Sequence, residues 1–403
     1  AQRRIRQSVR GGAEPAEDAP PTVIAVEAGC GYGSMLVDRT PGVLGTNPVM
    51  PEELALSPEL VARMGTAWMR GAREGGLLSA GKHFPGHGDT RVDSHVGLPE
   101  VSGDAARLRS VEMAPFGTAV RAGIDAVLVG HIAAVGLEGP GARPASLSPR
   151  MIGDELRGRL GFQGLVFTDA LNMGGVTRNY SVAEASILAL LAGADVLLQP
   201  PGHEAVIDAI VAAVQSGRIP PARIDEAARR VLLAKAAAGL HRGARVETAS
   251  VAGRVGTDAH RGVARQVAER SITLVRDGRS LVPLRRGARV LHVTYTESGR
   301  GSAGNGLNNG LAAGGLSLDH VRVGPSTSAA AFASLRERAA AADVVVASIA
   351  VSPVQYRALG IGGGFGPWLE SLSASGKPVV AVSLGSPYLL ESFPSVPVYL
   401  LAW

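Results

Sequence analysis

Short apolar segments alternate with helical ones along the first 240 residues of this 403-residue chain. The apolar segments lack the alternation of polar and apolar residues that a half-exposed strand shows, so we interpret them as buried strands. Five are predicted, at Thr22–Val26, Leu77–Ala80, Ile124–Val129, Leu165–Phe167 and Val196–Leu198. Buried strands separated by helices predict a parallel sheet that is covered by helices.

Helices are predicted between and after these strands, at Pro58–Glu74, Ala105–Ala122, Pro149–Leu160, Val182–Ala192, Glu204–Ser216 and Ile224–Ala238. Polar residues stand where strands end, namely Glu27, His83, His131 and Asp169. In a (β/α) barrel the active site is built at the carboxyl ends of the strands. We therefore expect a TIM-type barrel over residues 1–240, incomplete at its N-terminal side, because about five strands are found where a barrel has eight.

A second α/β block is predicted after a Gly-, Arg- and Ser-rich linker at residues 241–262. A helix near Ala259–Arg270 leads into the block, the stretch Gly301–Gly315 is expected to open a further helix, and Gly362–Gly366 is expected to form a loop. Its predicted strands are Ser271–Val275, Arg289–Thr294, His320–Val323, Asp343–Ala350, Val379–Leu384 and Val398–Leu401.

The composition, with 46% hydrophobic and 19% charged residues, is that of a chain with a large core. The net charge is +5, but the arginines are scattered and aromatic residues make up only 4%, which argues against a nucleic-acid partner. Cys30 is the single cysteine, so neither an intrachain disulfide nor a cysteine metal site is expected. With no run of 18 apolar residues and no apolar N-terminal segment, we expect no membrane association and a cytoplasmic location.

The segment Lys82–His95 (KHFPGHGDTRVDSH) concentrates three histidines and two aspartates in 14 residues. Pro85, Gly86 and Gly88 exclude a helix, so the segment is predicted to be a loop at a strand end. Asp93 and His95 point the same way in extended backbone, so the carboxylate can orient the imidazole for proton transfer in both directions.

Asp169, at the end of a predicted strand, is a candidate nucleophile. A carboxylate that attacks the anomeric carbon, together with a second group that gives and then takes a proton, is the arrangement that two-step glycosyl transfer needs. We expect His95 to be the second group. Alternatively, Asp169 caps the helix that follows Asn172.

Two other interpretations of the His-rich segment remain open. A zinc ion could be held by His83, His87, Asp89 and His95, although HxxxH spacing normally binds metal on a helix. The segment could also be a purely structural loop, in which Asp93 caps backbone N–H groups and His87 is buried with its hydrogen bonds satisfied.

These residues resemble glycoside hydrolase family 3, in particular its β-N-acetylglucosaminidase branch. The resemblance rests on KHFPGHGDTRVDSHVGLP (Lys82–Pro99), GFQGLVFTDALNM (Gly161–Met173), AGADVLLQP (Ala192–Pro200) and RIDEAARRVLLAK (Arg223–Lys235). SITLVRDG followed by LVPL (Ser271–Leu284) resembles the start of the family's second domain, an α/β sandwich. The resemblance thus implies that residues 263–403 form a sandwich domain, truncated at its C-terminal side.

The resemblance implies a retaining β-N-acetylglucosaminidase with Asp169 as nucleophile, His95 as acid/base and Asp93 as its orienting partner. Lys82 and His83 would hydrogen-bond sugar hydroxyls, and Glu27 would take the place of the family's sugar-binding aspartate. The implied substrates are peptidoglycan fragments or chito-oligosaccharides, with no cofactor and no metal. Some relatives use phosphate in place of water as the acceptor.

The sequence departs from the family pattern at residues 27–56, where two substrate-binding arginines have no counterpart and one strand–helix unit is compressed. These departures favour a second hypothesis, a degenerate relative that binds sugar without turnover. A metal-dependent hydrolase that uses the His cluster is the third hypothesis.

Overall fold

The computed structural model of the chain describes residues 57–90, 92–243, 247–297, 301–351, 360–384 and 387–402. The chain divides into two compact units, Ala1–Val263 and Ala264–Trp403. Among the helices in the described ranges, none combines the length and the apolar character that crossing a bilayer requires. Glu27 and the predicted strand Thr22–Val26 lie outside the described residues.

The first unit alternates strand and helix as predicted, but the strand predicted at Leu77–Ala80 is wrong in position, since it lies at Ala80–Phe84. Its main elements are α1 (Pro58–Glu74), β1 (Ala80–Phe84), α2 (Ala114–Arg121), β2 (Ala126–Val129), β3 (Leu165–Ala170), α3 (Val182–Ala192), β4 (Val196–Leu198), α4 (His203–Gln215) and α5 (Pro221–Ala237). Helix α6 (Asp258–Ser271) contains the division between the units. Shorter helical pieces are Ala105–Arg107, Leu108–Glu112, Val135–Glu138, Ala145–Leu147, Arg150–Arg159, Gly174–Thr177, Thr248–Ser250 and Val251–Arg254.

Helix α1 shows how closely local signals set an element's limits. The Ser57 hydroxyl accepts the N–H of Leu60 at 3.1 Å, and Pro58 occupies the first turn, where no N–H is needed. The helix ends at Glu74, before Gly75 and Gly76. Both limits agree with the prediction.

Four parallel strands pair in the order β1-β2-β3-β4. Ala126 of β2 lies opposite Ala80 of β1 and Leu165 of β3, so the three strands run in step toward the same edge. Phe84, Val127, Val129 and Val166 are fully buried in the core of this unit. The α/β class is confirmed. The predicted barrel requires strands beyond these four, and the one predicted at Thr22–Val26 is outside the described residues.

The stretch Ala105–Ala122 is helical as predicted, but it is not one continuous helix. The structure instead has one turn at Ala105–Arg107, a wider π-type segment at Leu108–Glu112, and helix α2 from Ala114. Pro115 lies at the start of α2, where its missing N–H costs nothing, whereas inside a continuous helix it would clash with the preceding turn.

In the described residues of the second unit, six strands form a sheet in the order β5-β10-β9-β8-β6-β7. Its strands are β5 (Thr273–Asp277), β6 (Arg289–Thr296), β7 (Ser317–Val323), β8 (Val344–Ala350), β9 (Val379–Ser383) and β10 (Val398–Leu401), and its helices are α7 (Asn305–Ala313), α8 (Ala329–Ala341), α9 (Phe365–Ala374) and the short Pro387–Ser392. All strand pairs are parallel except β5 with β10. The glycines at 301–315 do open a helix, but the predicted loop Gly362–Gly366 is only half right, because α9 begins at Phe365.

Candidate active site

The predicted site residues within the described ranges, which exclude Glu27, lie at the carboxyl ends of β1, β2 and β3. Lys82 and His83 lie within β1, and Asp169 lies within β3. Strand β2 lies between β1 and β3, and His131 follows it. His83 and Asp169 were expected at strand ends, but both strands continue past them, to Phe84 and Ala170. The His83 Nε2 atom is 3.7 Å from the Asp169 Oδ2 atom.

The Asp169 carboxylate is nearly buried, with 12% of its side chain exposed. Its Oδ1 atom accepts the N–H of Ala170 at 2.8 Å, and its Oδ2 atom is the one nearest His83. The alternative role as a helix cap is not realised, because the next helix, Gly174–Thr177, is capped by Met173 without any side-chain hydrogen bond. The carboxylate therefore does not cap this helix.

His83 is a neutral neighbour of this carboxylate. Burial lowers the pKa of His83 from 6.5 to about 4, against the opposing attraction of Asp169. At neutral pH the ring is uncharged, so its contact with Asp169 is not an ion pair. The ring instead offers one donor and one acceptor to a ligand placed beside Asp169.

His95 and Asp93 form a hydrogen-bonded pair, as the sequence predicts. The His95 Nδ1 atom lies 2.7 Å from the Asp93 Oδ1 atom, which also accepts the main-chain N–H of His95 at 2.9 Å. Because a carboxylate can only accept, Nδ1 carries the proton in this pair. One oxygen atom of Asp93 thus contacts both the ring and the main chain of His95, which fits the capping and the orienting interpretations alike.

The loop that carries this pair is fastened to the segment that follows β3. The N–H of Gly174 donates to the carbonyl oxygen of His95 at 3.0 Å, and the N–H of Gly175 donates to that of Ser94 at 2.9 Å. A Cβ atom on Gly174 would lie 2.5 Å from the Val96 carbonyl oxygen, so only glycine permits this approach. The sequence analysis missed this attachment. The two adjacent glycines after Asp169 could have indicated it, because glycines allow close approach of two backbones.

His131 contacts the main chain of Ala170, the residue that follows Asp169. Its ring is fully buried, with Nε2 3.0 Å from the carbonyl oxygen of Ala170 and Nδ1 2.7 Å from the Ser146 hydroxyl. A carbonyl can only accept, so Nε2 donates and Nδ1 accepts from Ser146. Burial lowers the pKa of His131, which keeps the ring neutral and fixed in this tautomer. It thereby anchors the peptide next to Asp169.

The geometry gives the proposed zinc site no support. Both ring nitrogens of His87 bond to hydroxyl groups, those of Thr90 and Ser94, and Asp89 is paired with Arg107 at 2.7 Å. Across the described part of the chain, no three His, Cys, Asp or Glu side chains are arranged to hold a metal ion.

Together, the fold and the site define a two-unit α/β protein with a carboxylate and a His–Asp pair at the carboxyl edge of a parallel sheet. Residues 47–234 match the family described as "Glycosyl hydrolase family 3 N terminal domain". The resemblance found in the sequence is thereby confirmed: residues 47–234 are similar to the N-terminal domain of glycoside hydrolase family 3.

Named relatives agree with this resemblance. The chain is 29% identical over 267 residues to "Beta-hexosaminidase A" of Pseudoalteromonas piscicida, covering 61% of this chain and 44% of the relative. It is 33% identical over 240 residues to "Beta-N-acetylglucosaminidase/beta-glucosidase" of Cellulomonas fimi, covering 56% and 42%. The chain thus spans less than half the length of these two curated relatives.

A solved structure shares both sequence and fold. The glycoside hydrolase family 3 β-N-acetylglucosaminidase from Paenibacillus sp. str. FPU-7 is 31% identical, with a TM-score of 0.74. The match covers 85% of this chain and 65% of that structure.

Proposed function

We propose that this chain is a retaining β-N-acetylglucosaminidase that releases terminal N-acetylglucosamine from peptidoglycan fragments or chito-oligosaccharides. The names of the relatives support the sugar and the reaction class. The observation that carries the proposal is the His95–Asp93 pair on a loop that is hydrogen-bonded to the segment after Asp169. This attachment holds a proton-transfer group and a nearly buried carboxylate in one fixed relationship, as double displacement requires.

In the first step of the proposed reaction, Asp169 attacks the anomeric carbon while protonated His95 gives its Nε2 proton to the glycosidic oxygen. The bond to the leaving group breaks, and a glycosyl ester forms on Asp169. In the second step, the now neutral Nε2 of His95 takes a proton from water, whose oxygen attacks the anomeric carbon and releases Asp169. Asp93 stabilises the imidazolium that is present at the start and at the end of the cycle.

The other predicted residues serve substrate binding in this proposal. Neutral His83 and the Lys82 ammonium, on β1 beside Asp169, would hydrogen-bond sugar hydroxyls, and Glu27 would supply a further contact. A buried site of this kind rejects a sugar that leaves its polar groups unpaired.

The test compares hydrolysis of 4-nitrophenyl N-acetyl-β-glucosaminide with that of the matching β-glucoside. We expect turnover of the N-acetyl substrate, loss of turnover in Asp169→Asn, and unchanged turnover in Asp208→Asn, an exposed aspartate on α4. Proton NMR of the first product should show the β-anomer, since two displacements restore the configuration. Formation of a sugar 1-phosphate in phosphate buffer would instead identify phosphate as the acceptor.

Two outcomes would contradict the proposal. Asp169→Asn with full activity would exclude Asp169 as nucleophile. A folded chain that binds N-acetylglucosamine but turns over neither substrate would favour the degenerate, sugar-binding relative.

A further inference from the structure

His87 lies in the loop that follows β1 and carries Asp93 and His95, called the catalytic loop below, and its ring contacts Thr90 and Ser94 of that loop. Its Nδ1 atom is 2.7 Å from the Thr90 hydroxyl, and its Nε2 atom is 3.2 Å from the Ser94 hydroxyl. Ser94 stands between Asp93 and His95 in the chain. The ring therefore contacts the one residue that separates the two members of the proton-transfer pair.

The direction of these hydrogen bonds can be worked out. The Thr90 hydroxyl donates to the carbonyl oxygen of His87 at 3.2 Å, and a carbonyl can only accept. With its single proton used there, Thr90 must accept from His87 Nδ1–H. The Nε2 atom then holds the lone pair and accepts from the Ser94 hydroxyl. The neutral ring therefore fits the hydrogen bonds with both Thr90 and Ser94.

Charge and burial agree with this arrangement. Burial lowers the pKa of His87, although Asp169 and Asp93 act in the opposite direction. The ring is neutral at working pH and is not a second acid beside His95. Its edge contacts the ring of His83, with centroids 5.8 Å apart, so it is also packed on the strand side.

The beginning of the loop is fixed independently. Arg107 donates to Asp89 at 2.7 Å and to the carbonyl oxygen of Ser102 at 2.8 Å, and it pairs with the fully buried Glu112 carboxylate at 3.0 Å. A Cβ atom on Gly86 would lie 2.7 Å from the Glu112 Cβ, so the loop rests directly on this segment. The residues on either side of His87, Gly86 and Asp89, are thus held in place by Glu112 and Arg107.

We propose that His87 is a positioning residue, which holds Ser94 and through it sets the orientation of the Asp93–His95 pair. The proposal rests on the function proposed above, since it assigns His87 to the geometry of that reaction. It gives His87 no proton transfer of its own. Because an error of about 1 Å in the position of a catalytic group can reduce the rate by about 10²-fold, loss of this contact should be measurable.

The experiment compares His87→Leu, which removes both hydrogen bonds, with His87→Gln, which keeps an N–H and a C=O. The substrates are N-acetyl-β-glucosaminides with a poor leaving group, 4-methoxyphenol, and a good one, 2,4-dinitrophenol. For His87→Leu we expect kcat/KM to fall about 10²-fold with the poor leaving group and little with the good one, because only the poor one needs the acid. His87→Gln should recover most of this loss.

Azide provides a readout that a general loss of structure would not change. It attacks the anomeric carbon of the glycosyl ester and releases Asp169 without giving up a proton, so it needs no base. Azide should therefore raise kcat of His87→Leu on the dinitrophenyl substrate, with glycosyl azide as the product, and should have little effect on the wild type.

Ser94→Ala tests the same contact if His87→Leu does not fold. It should give the same dependence on the leaving group, while Ser186→Ala, which removes a buried hydroxyl on α3, should give none. The inference is overturned if the His87 and Ser94 variants match the wild type, or if KM rises for both substrates without azide rescue, which would make His87 a sugar ligand. In either case wild-type turnover shows that the proposed function still holds, whereas an inactive, folded wild type contradicts the function itself.

Discussion

The main-chain N–H of Gly174 donates to the carbonyl oxygen of His95 at 3.0 Å. This bond joins the loop that carries the proposed acid/base to the chain five residues after Asp169. Backbone contact thereby contributes to the spacing of the two groups, together with the side-chain contacts of His87 and Arg107. Side chains at this point would force the two backbones apart.

Gly174→Ala should therefore reduce both activity and stability. The new Cβ would lie 2.5 Å from the carbonyl oxygen of Val96 and 2.8 Å from that of His95, and neither is the end of a flexible side chain. We expect a loss of about 1–3 kcal/mol in the free energy of unfolding, measured in urea, and a lower kcat. Gly153→Ala is the control, because no atom lies within 4 Å of its Cβ position. Equal kcat values for the two variants would show that the attachment does not set the geometry.

Arg107 should matter more than its neighbour Arg109. Arg107 bonds Asp89 of the catalytic loop and the buried Glu112, whereas Arg109 bonds Glu155, away from the loop. Arg107→Gln should lower kcat by disordering the loop and should destabilise the fold, since it leaves the Glu112 carboxylate buried without its charge partner. Arg109→Gln should keep kcat near the wild-type value. Steady-state kinetics on the N-acetyl substrate decide the matter, and a reversed order would refute the assignment.

Asp195 should be the most costly aspartate to replace in the first unit. Its side chain is fully buried and accepts from Arg157 at 2.8 Å, Arg223 at 3.0 Å, Arg230 at 3.1 Å and the N–H of Val166 at 3.0 Å. Asp195→Asn leaves three guanidinium groups around a neutral amide, which should destabilise the fold by about 3–5 kcal/mol.

The control for this prediction is Asp258→Asn. The Asp258 side chain is 97% exposed in its pair with Arg261, so its loss should change the free energy of unfolding by less than about 1 kcal/mol. Chemical denaturation of both variants gives the comparison. Similar midpoints would mean that the buried cluster contributes no more than a surface pair.

The second unit should lose stability in mild acid through His292. This ring is fully buried on β6, is stacked on His320 with centroids 4.4 Å apart, and lies between Asn308 and Ser348. Burial lowers the pKa of His292 from 6.5 to about 4, and His320 and Arg322 repel its charged form further. Between those two pH values the unfolded chain binds a proton that the folded chain does not, so the free energy of unfolding falls as the pH falls.

His292→Gln cannot titrate and should make this dependence shallower between pH 6.5 and about 4. Urea midpoints of the full chain, measured at several pH values for both proteins, check the expectation. Above pH 7 the two curves should run parallel. An equally steep loss of stability in the variant would place the acid sensitivity elsewhere.

Local signals predicted much of the fold. The limits of Pro58–Glu74, Val182–Ala192, Val196–Leu198 and Val398–Leu401 agree with the structure to the residue. In these segments capping residues, glycines and apolar spacing all indicate the same limits. Helix α9 was missed because Gly362–Gly366 indicates a loop, and only the packing of Phe365 and Trp368 in the core stabilises a helix there.

The site was predictable in its chemistry but not in its connections. The spacing of Asp93 and His95 predicted their hydrogen bond, but the extended backbone assumed for it was wrong: residues 94–96 form a turn, in which the N–H of Val96 donates to the Asp93 carbonyl oxygen at 2.9 Å. The contacts of Arg107 with Asp89 and of Gly174 with His95 join residues 18 and 79 positions apart. No local pattern encodes such pairs, since they depend on how the strands place their loops.

The edge strand β5 is the first strand of the second unit, yet among the described residues its only strand partner is β10, the last one. During synthesis, the residues between Asp277 and Val398 must be made before these two strands can pair. During that time the Thr273–Asp277 segment has its backbone groups open to water, or to chaperones. Strand β5 should therefore be the last strand to join the sheet, because it can pair with β10 only after Leu401 has been made.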